Sequence, residues 1–277
     1  MISITDRVFV ETKYPGANVG VVMTLRGPVL IDTPMLPREA RELREQLRQM
    51  SELDINHVIY THEHFDHVMG SAFLTDRTIA HDGAMSAIEN LRTTLPGAMM
   101  RFLPDLFEEN KEILNNLDIV LPQITFSEEL TLHMGDRILK LTYVGGHSPA
   151  SIVVYVPEDQ VLFAGDNVVT GQLPFTAQCQ FGPWIEALNH IVGMEIDTII
   201  PGHGEICGKE SVRKISVYFE TMRDQVRNLL SAGANKEEVI HRVHLNDRLP
   251  VGLSREVAEQ VALDVSLMYD QIERGLL

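Results

Sequence analysis

The chain has 277 residues, of which 44% are hydrophobic and 22% are charged, as expected for a globular protein with one large domain or a core with an appendage. Its formal net charge is −16, from 23 Lys and Arg against 39 Asp and Glu. This balance argues against a nucleic-acid partner, because binding to phosphates depends on cationic side chains. The sequence has no apolar run of about 18 residues, no secretion signal at Met1–Val8 and only two cysteines. We therefore expect a reduced, cytoplasmic protein that does not bind a membrane.

The N-terminal quarter of the chain predicts alternating strand and helix. Residues 1–33 read as short strands, with Val19–Thr24 and Gly27–Asp32 forming a hairpin. Apolar residues recur at three- and four-residue spacing through Pro37–Met50, which predicts an amphipathic helix. Ile55–Tyr60 is then a strand. This order predicts an α/β fold, in which functional sites collect beyond the carboxyl ends of strands.

A Met- and Phe-rich helical segment follows a short strand predicted at Thr78–His81. It covers about residues 82–118, and we expect Pro96-Gly97 and Pro104 to divide it into shorter helices. The simplest role for such a segment is core packing. The alternative is a lid over the site, since methionine adapts to varied apolar ligands.

The rest of the chain returns to strands and then ends in helices. We predict strands at 130–134, 136–144, 151–156, 161–164 and 198–200, and helices at 183–192, 209–231 and 235–273. The predicted organisation is a catalytic domain at 1–230, with the helical insertion at about 82–118, and a C-terminal helical extension at 231–277 packed on it.

A cluster of metal-ligand side chains follows the strand at Ile55–Tyr60. The stretch His62-Glu63-His64-Phe65-Asp66-His67 holds three imidazoles and two carboxylates in six residues. Neutral imidazoles and carboxylates bind Zn, Fe, Ni or Cu. In extended chain His62 and His64 share one side, and a following turn brings Asp66 and His67 to the same point. Structural histidines or a histidine-rich surface tract are the alternatives, but the fixed spacing after an apolar run favours a metal site.

Three later strand ends each present another residue of this kind. Gly145-Gly146-His147, Gly165-Asp166 and Gly202-His203-Gly204 each follow an apolar strand, and glycine permits the sharp turn. Taken alone, each of these three motifs could equally be an ordinary turn. Together with the His62–His67 loop they make a site for two metal ions the better interpretation.

These elements, in this order, resemble the metallo-β-lactamase-fold hydrolase superfamily. The resemblance covers roughly residues 1–210 and rests on Asp32 at the end of its strand, the His-X-His-X-Asp-His loop, His147, Asp166 and His203. It implies a four-layer αβ/βα sandwich with the site at one edge, between the two sheets. By that resemblance the first metal is held by His62, His64 and His147, the second by Asp66, His67 and His203, and both by Asp166.

The resemblance also indicates which substrates to expect. An aspartate at the bridging position, Asp166, speaks against a dedicated β-lactamase, and Ser148-Pro149-Ala150 stands where many relatives have Thr-Pro-Gly. The ligand set is closest to thioesterases of the glyoxalase II type and to lactonases. We therefore expect a hydroxide that bridges two metals to attack a carboxylic ester, lactone or thioester, with Asp66 accepting a proton. Glu63 and Phe65 alternate away from the ligands and are given no catalytic role.

Three other functions remain open on the sequence. Phosphodiester or RNA cleavage is one, although the acidic balance disfavours it, and β-lactam hydrolysis as a side activity is another. The third is a non-catalytic binding protein in which the metals only stabilise the fold. Zn is the default for two divalent ions, with Fe or Mn as alternatives. The expected partner is a small-molecule substrate, and a homodimer is left open.

Overall fold

The first of two sheets has seven strands, arranged side by side in chain order. The computed structural model describes residues 1–277 apart from the side chain of Asn246. The strands are β1 (Ile2–Ser3), β2 (Val8–Glu11), β3 (Val19–Val22), β4 (Val29–Ile31), β5 (His57–Ile59), β6 (Thr78–His81) and β7 (Ile124–Phe126). Neighbours from β1 to β4 are antiparallel, and β3 and β4 form the predicted hairpin. From β4 to β7 the pairing is parallel.

The second sheet has five strands in the spatial order β12-β11-β10-β9-β8. They are β8 (Glu129–His133), β9 (Ile138–Tyr143), β10 (Ile152–Val156), β11 (Val161–Val169) and β12 (Thr198–His203). Strands β8 to β11 form an antiparallel meander, and β12 joins β11 in parallel.

Helices cover the outer faces of both sheets. They are α1 (Pro37–Met50), α2 (Phe65–Val68), α3 (Ala84–Phe102), α4 (Pro104–Leu114), α5 (Phe181–Gly193), α6 (Lys209–Ser231), α7 (Lys236–Arg242) and α8 (Arg255–Glu273), with short 3-10 helices at Met69–Phe73 and Asn246–Arg248. Helix α1 has the predicted bounds, and its buried positions are those of the apolar stripe.

Three apolar cores separate four layers. Within one strand the side chains alternate, so Leu30 packs with α1 and α3 while Ile31 packs between the sheets. Phe163 of the second sheet lies in that same middle core. Trp184 and Phe219 belong to the third core, in which the second sheet packs against the C-terminal helices. The predicted αβ/βα sandwich, with a helical insertion and C-terminal helices, is confirmed.

The predicted helix break at Pro96-Gly97 is wrong. Helix α3 runs through both residues, and the chain breaks only before Pro104, where α4 begins. Leu95 and Met99 flank the proline and are both buried in the core beneath α3. Packing of that face stabilises the helix more than the hydrogen bond that proline cannot donate.

The C-terminal helices share their core with the second sheet. Helix α6 ends at Ser231, and α7 and α8 pack with it in the third core. The division of the chain at residue 230 remains a prediction. Among the described residues, no helix combines the length and the apolar character needed to cross a membrane.

Candidate metal centre

The predicted ligands come from four places at the same edge of the two sheets. The loop after β5 carries His62 and leads into α2, His147 follows β9, and His203 is the last residue of β12. Asp166 lies inside β11 and not after the predicted strand end at Ala164. The pairing of β11 with β12 shifts register on both sides of Gly165, and such an irregularity re-aims a side chain.

One group of side chains contains three imidazoles and one carboxylate. His62, His64, His147 and Asp166 each offer a ligand atom, and these atoms lie within 4.8 Å of one another. His147 Nε2 is 3.0 Å from His64 Nδ1 and 3.5 Å from Asp166 Oδ2. His62 Nε2 is 3.9 Å from the same carboxylate oxygen.

A second group lies on the other side of the same carboxylate. Asp66, His67 and His203 also bring their ligand atoms within 4.8 Å of one another. His203 Nε2 is 3.2 Å from Asp66 Oδ2 and 3.4 Å from Asp166 Oδ1, and His67 Nε2 is 3.3 Å from Asp166 Oδ1. Asp166 therefore directs one oxygen to each group.

The polar atoms of this centre fit divalent cations. Four of them are buried without a hydrogen-bond partner among the described residues: His62 Nε2, His67 Nε2, His147 Nδ1 and Asp166 Oδ1. Burying an unpaired polar atom is costly, and three of these four face the two groups described above. Imidazole nitrogens and carboxylate oxygens are the donors that zinc prefers. All seven predicted residues are brought together, and their role as ligands remains our prediction.

Hydrogen bonds behind the imidazoles orient two of them. Asp32 Oδ2 is 2.8 Å from His67 Nδ1 and accepts a hydrogen bond from it, while Thr61 Oγ1 donates to the same oxygen at 2.8 Å. His62 Nδ1 lies 3.0 Å from Thr61 Oγ1. Both rings thereby present Nε2 to the centre, which is how outer residues orient metal ligands. Asp32 is thus a buried hydrogen-bond partner of the site.

Two asparagines that the sequence analysis missed hold the loops of the site. Asn167 Oδ1 accepts a hydrogen bond from the His147 backbone N–H at 2.9 Å, and its amide donates to the Gly145 carbonyl at 2.9 Å. Asn18 donates to the Gly204 carbonyl at 2.9 Å and so holds the loop after His203. The position of Asn167 next to Asp166 was a usable signal, whereas nothing near Asn18 pointed to this contact.

Two further polar contacts join distant segments. Gln178 Oε1 accepts from His64 Nε2 at 2.9 Å, which leaves His64 Nδ1 facing His147. Glu63 turns away from the centre, and its carboxylate accepts from the Ser148 hydroxyl at 2.7 Å. The serine of the altered turn therefore ties the His147 loop to the His62–His67 loop.

Close packing at the centre demands glycine at one position. A Cβ built on Gly202 would lie 1.9 Å from Asp166 Oδ1. No side chain can be accommodated at that distance without displacing the carboxylate.

In the metal-free centre two histidines have lowered pKa values and two have raised ones. Burial lowers the pKa of His62 well below its usual value, and burial lowers that of His147 to about 3. Burial acts in the same direction on His67 and His203, but nearby carboxylates outweigh it: the pKa of His67 is held well above its usual value and that of His203 rises to about 10. Burial raises the pKa of Asp166, yet the two cationic imidazoles hold it well below its usual range.

Comparison with known proteins places this arrangement in a family. Residues 15–203, which include all seven predicted ligands, match the sequence model of the Metallo-beta-lactamase superfamily. The linear primary-alkylsulfatase of Pseudomonas sp. (strain ATCC 19151) is 21% identical over 258 residues, covering 80% of this chain and 49% of its own length. The acyl-coenzyme A thioesterase MBLAC2 of Homo sapiens is 25% identical over 251 residues, covering 77% of this chain and 84% of its own length.

A solved structure shows the same fold over nearly the whole chain. The stereoselective inverting sec-alkylsulfatase Pisa1 from Pseudomonas sp. superposes with a TM-score of 0.79 at 16% identity, covering 98% of this chain and 49% of the other. The chain thus spans about half the length of both alkylsulfatases. Because the family model matches well over half of the chain, the chain belongs to the metallo-β-lactamase superfamily.

Proposed function

We propose that the chain is a binuclear metallohydrolase that cleaves carboxylic esters, with thioesters and lactones in the same class. The observation that carries this proposal is the Asp166 carboxylate, whose two oxygens face two separate ligand groups 3.3–3.5 Å away. The similarity of the chain to an acyl-coenzyme A thioesterase supports a reaction at an acyl group.

The proposed roles follow from where each side chain lies. One metal would be held by His62, His64 and His147 and the other by Asp66, His67 and His203, with one oxygen of Asp166 available to each. When bound, two divalent cations supply Lewis acidity and lower the pKa of water towards about 7. Zn is the proposed metal because imidazole nitrogens dominate the donor set.

The protein's own side chains would prepare this chemistry. Asp32 and Thr61 hold the His67 and His62 rings with Nε2 towards the centre. The Asp66 carboxylate, beside His203, is the proposed acceptor of the proton that the attacking water loses. Four of the seven proposed ligands are buried (His62, His67, His147 and Asp166), which limits the access of bulk water and strengthens the electrostatics of the centre.

Hydrolysis of alkyl sulfates is a second candidate. The observation in its favour is the similarity to a linear primary-alkylsulfatase over 80% of this chain. A sulfate ester carries its charge at the reacting centre, where two bound cations would attract it.

The test combines metal analysis with a substrate panel. The chain as purified with zinc is assayed against esters, lactones, thioesters, alkyl sulfates, β-lactams and phosphodiesters, together with Asp166→Ala and the exposed control Asp118→Ala. We expect ester or thioester turnover with two metals per chain, retained in Asp118→Ala, and fewer than two metals with no turnover in Asp166→Ala. Two retained metals with full activity in Asp166→Ala would overturn the bridging role. Loss of folding on metal removal with no turnover of any substrate would instead support a metal-stabilised binding protein.

A further inference from the structure

Two exposed aromatic side chains form an apolar surface beside the candidate metal centre. Phe175 lies in the loop between β11 and α5, and Phe102 is the last residue of α3. Their ring centroids are 6.3 Å apart and nearly perpendicular, the arrangement that aromatic pairs prefer. Phe175 is 45% exposed and Phe102 is 51% exposed, so both keep large apolar areas in solvent. We call these two side chains the aromatic wall.

The aromatic wall begins at a predicted metal ligand. The Phe175 ring centroid is 6.2 Å from that of His64, in an edge-to-face arrangement. Gln178, three residues further along the same loop, accepts a hydrogen bond from His64 Nε2. The loop at residues 170–180 therefore contacts the centre through a polar residue and extends from it as an apolar surface.

The C-terminal helix holds this loop at two points. The Thr176 hydroxyl donates to Asp264 Oδ1 of α8 at 2.7 Å, and Asp264 is fully buried and also accepts from Tyr218 and Gln260. The side chain of Gln271, also on α8, donates to the Cys179 carbonyl at 2.8 Å and accepts from the backbone N–H of residue 181 at 3.0 Å. Helix α8 therefore fixes the backbone immediately after Phe175, while the Phe175 ring itself stays exposed.

We propose that the aromatic wall is the binding site for the apolar acyl chain of the substrate, and that α8 positions it through Asp264 and Gln271. The inference rests on the proposed ester hydrolysis and names its substrate class: carboxylic esters and thioesters with a straight apolar chain. An acyl chain that leaves the centre beside His64 would meet Phe175, whose ring lies next to that of His64.

The expected energetic signature is a dependence on chain length. Full burial of one methylene strengthens binding about fourfold. A wall that covers one side of the chain leaves the other in solvent, so we expect about twofold per methylene. Loss of one ring should reduce this slope, because part of the covered surface disappears.

The main experiment measures kcat/KM of the zinc-loaded protein for a series of straight-chain esters and thioesters from acetyl to decanoyl. Each variant is referred to its own acetyl substrate, so the readout is the ratio of decanoyl to acetyl. We expect that ratio to fall at least tenfold in Phe175→Ala and severalfold in Phe102→Ala. Ile113→Ala, an equally exposed apolar residue of the same insertion at 41%, is the matched control and should keep the wild-type ratio.

The positioning role of α8 has its own variant pair. Thr176→Val keeps the shape of the side chain but removes the donor to Asp264, and should raise KM for the decanoyl substrate with little change in kcat. Thr176→Ser keeps the hydroxyl and should restore the wild-type KM. An unchanged KM in Thr176→Val would refute the anchoring role of Asp264.

A binding measurement separates this inference from the proposed function. Calorimetric titration of the zinc-loaded protein with straight-chain carboxylates from acetate to decanoate should show the same slope, reduced in Phe175→Ala. No turnover of any ester with a clear affinity slope would reject the proposed function and keep the wall. Turnover with no dependence on chain length would reject the wall alone. A flat slope with a change in oligomeric state in Phe175→Ala would identify the wall as a contact between copies and overturn the proposal.

Discussion

Asp32 accepts a hydrogen bond from His67, with Oδ2 of the carboxylate 2.8 Å from Nδ1 of the ring. Both side chains are buried, and Asp32 adopts a positive φ of 61° to reach the ring. Such a backbone conformation is uncommon outside glycine, although aspartate and asparagine tolerate it better than most residues. The contact leaves Nε2 of His67 as the ring atom that faces Asp166.

Replacing Asp32 tests whether this contact supports metal binding. Asp32→Asn keeps the shape and the backbone tolerance but loses the charge that fixes the ring. We expect about a 10- to 100-fold loss of zinc affinity at one of the two sites, measured by competition with a chromogenic chelator. Asp82→Asn removes the charge from another His–Asp pair, at His81, and should leave zinc affinity unchanged. Equal affinity in the two variants would contradict the orienting role.

Zinc binding should release protons. The raised pKa values of His67 and His203, the latter about 10, mean that both rings are protonated in the metal-free chain at pH 7. A metal ligand must be neutral, so we expect about two protons released per chain and an affinity that increases with pH up to about 10. His62 and His147, whose pKa values are lowered, contribute none. Calorimetry in buffers of different ionisation enthalpy measures the number, and no release would contradict the prediction.

The same shift has an opposite consequence for the metal-free chain. A pKa raised on folding contributes stability that is fully present below the unfolded value of about 6.5 and is lost as pH rises through the folded value. His203 should therefore make the metal-free chain less stable as the pH rises from about 6.5 to about 10. Urea unfolding of His203→Ala beside the wild-type chain, both without metal, should show a steeper loss of stability over this range in the wild type, because His67 keeps a raised pKa of its own.

Glycine at position 202 should be essential to the centre. In Gly202→Ala the new Cβ would lie 1.9 Å from Asp166 Oδ1, 2.7 Å from the Gly165 carbonyl carbon and 2.8 Å from the Asp166 backbone nitrogen, so the carboxylate and the adjoining backbone must move. We expect metal content to fall below two per chain with a cooperative thermal transition retained. Gly193→Ala, which meets no described atom within 4 Å, is the matched control and should bind metal as the wild type does. Normal metal content in Gly202→Ala would contradict the close approach.

Asp264 should make stability fall with rising pH. Burial raises its pKa to about 6, although three hydrogen bonds act against the shift. A carboxyl with a raised pKa keeps its proton to a higher pH in the folded chain than in the unfolded chain. Its contribution to the free energy of unfolding therefore declines as the pH rises from about 4 to about 6. A shift of about two pKa units corresponds to about 3 kcal/mol. Subtracting the stability of Asp264→Asn from that of the wild type at pH 4.5, 5.5 and 7 isolates the effect, and a pH-independent difference would contradict it.

Much of the site was predictable because its signal is local. The His62–His67 loop combines spacing and residue type in six consecutive positions, and His147 and His203 follow glycines at the ends of apolar strands. The bounds of α1 were predictable for the same reason, since they follow from one apolar stripe. The helices of the insertion were harder to predict, because the continuity of α3 through Pro96 depends on the packing of the side chains beneath it.

The sequence by itself determined the residue types that can hold two cations and the αβ/βα layering that brings strand ends together. Only the tertiary structure decided that Asp32 orients His67, that Asn167 holds the His147 loop, and that Phe102 meets Phe175. The physical reason is distance along the chain. Ligand chemistry and periodicity are properties of a few neighbouring residues, whereas these contacts join segments that only the packed sheets bring within a few ångströms.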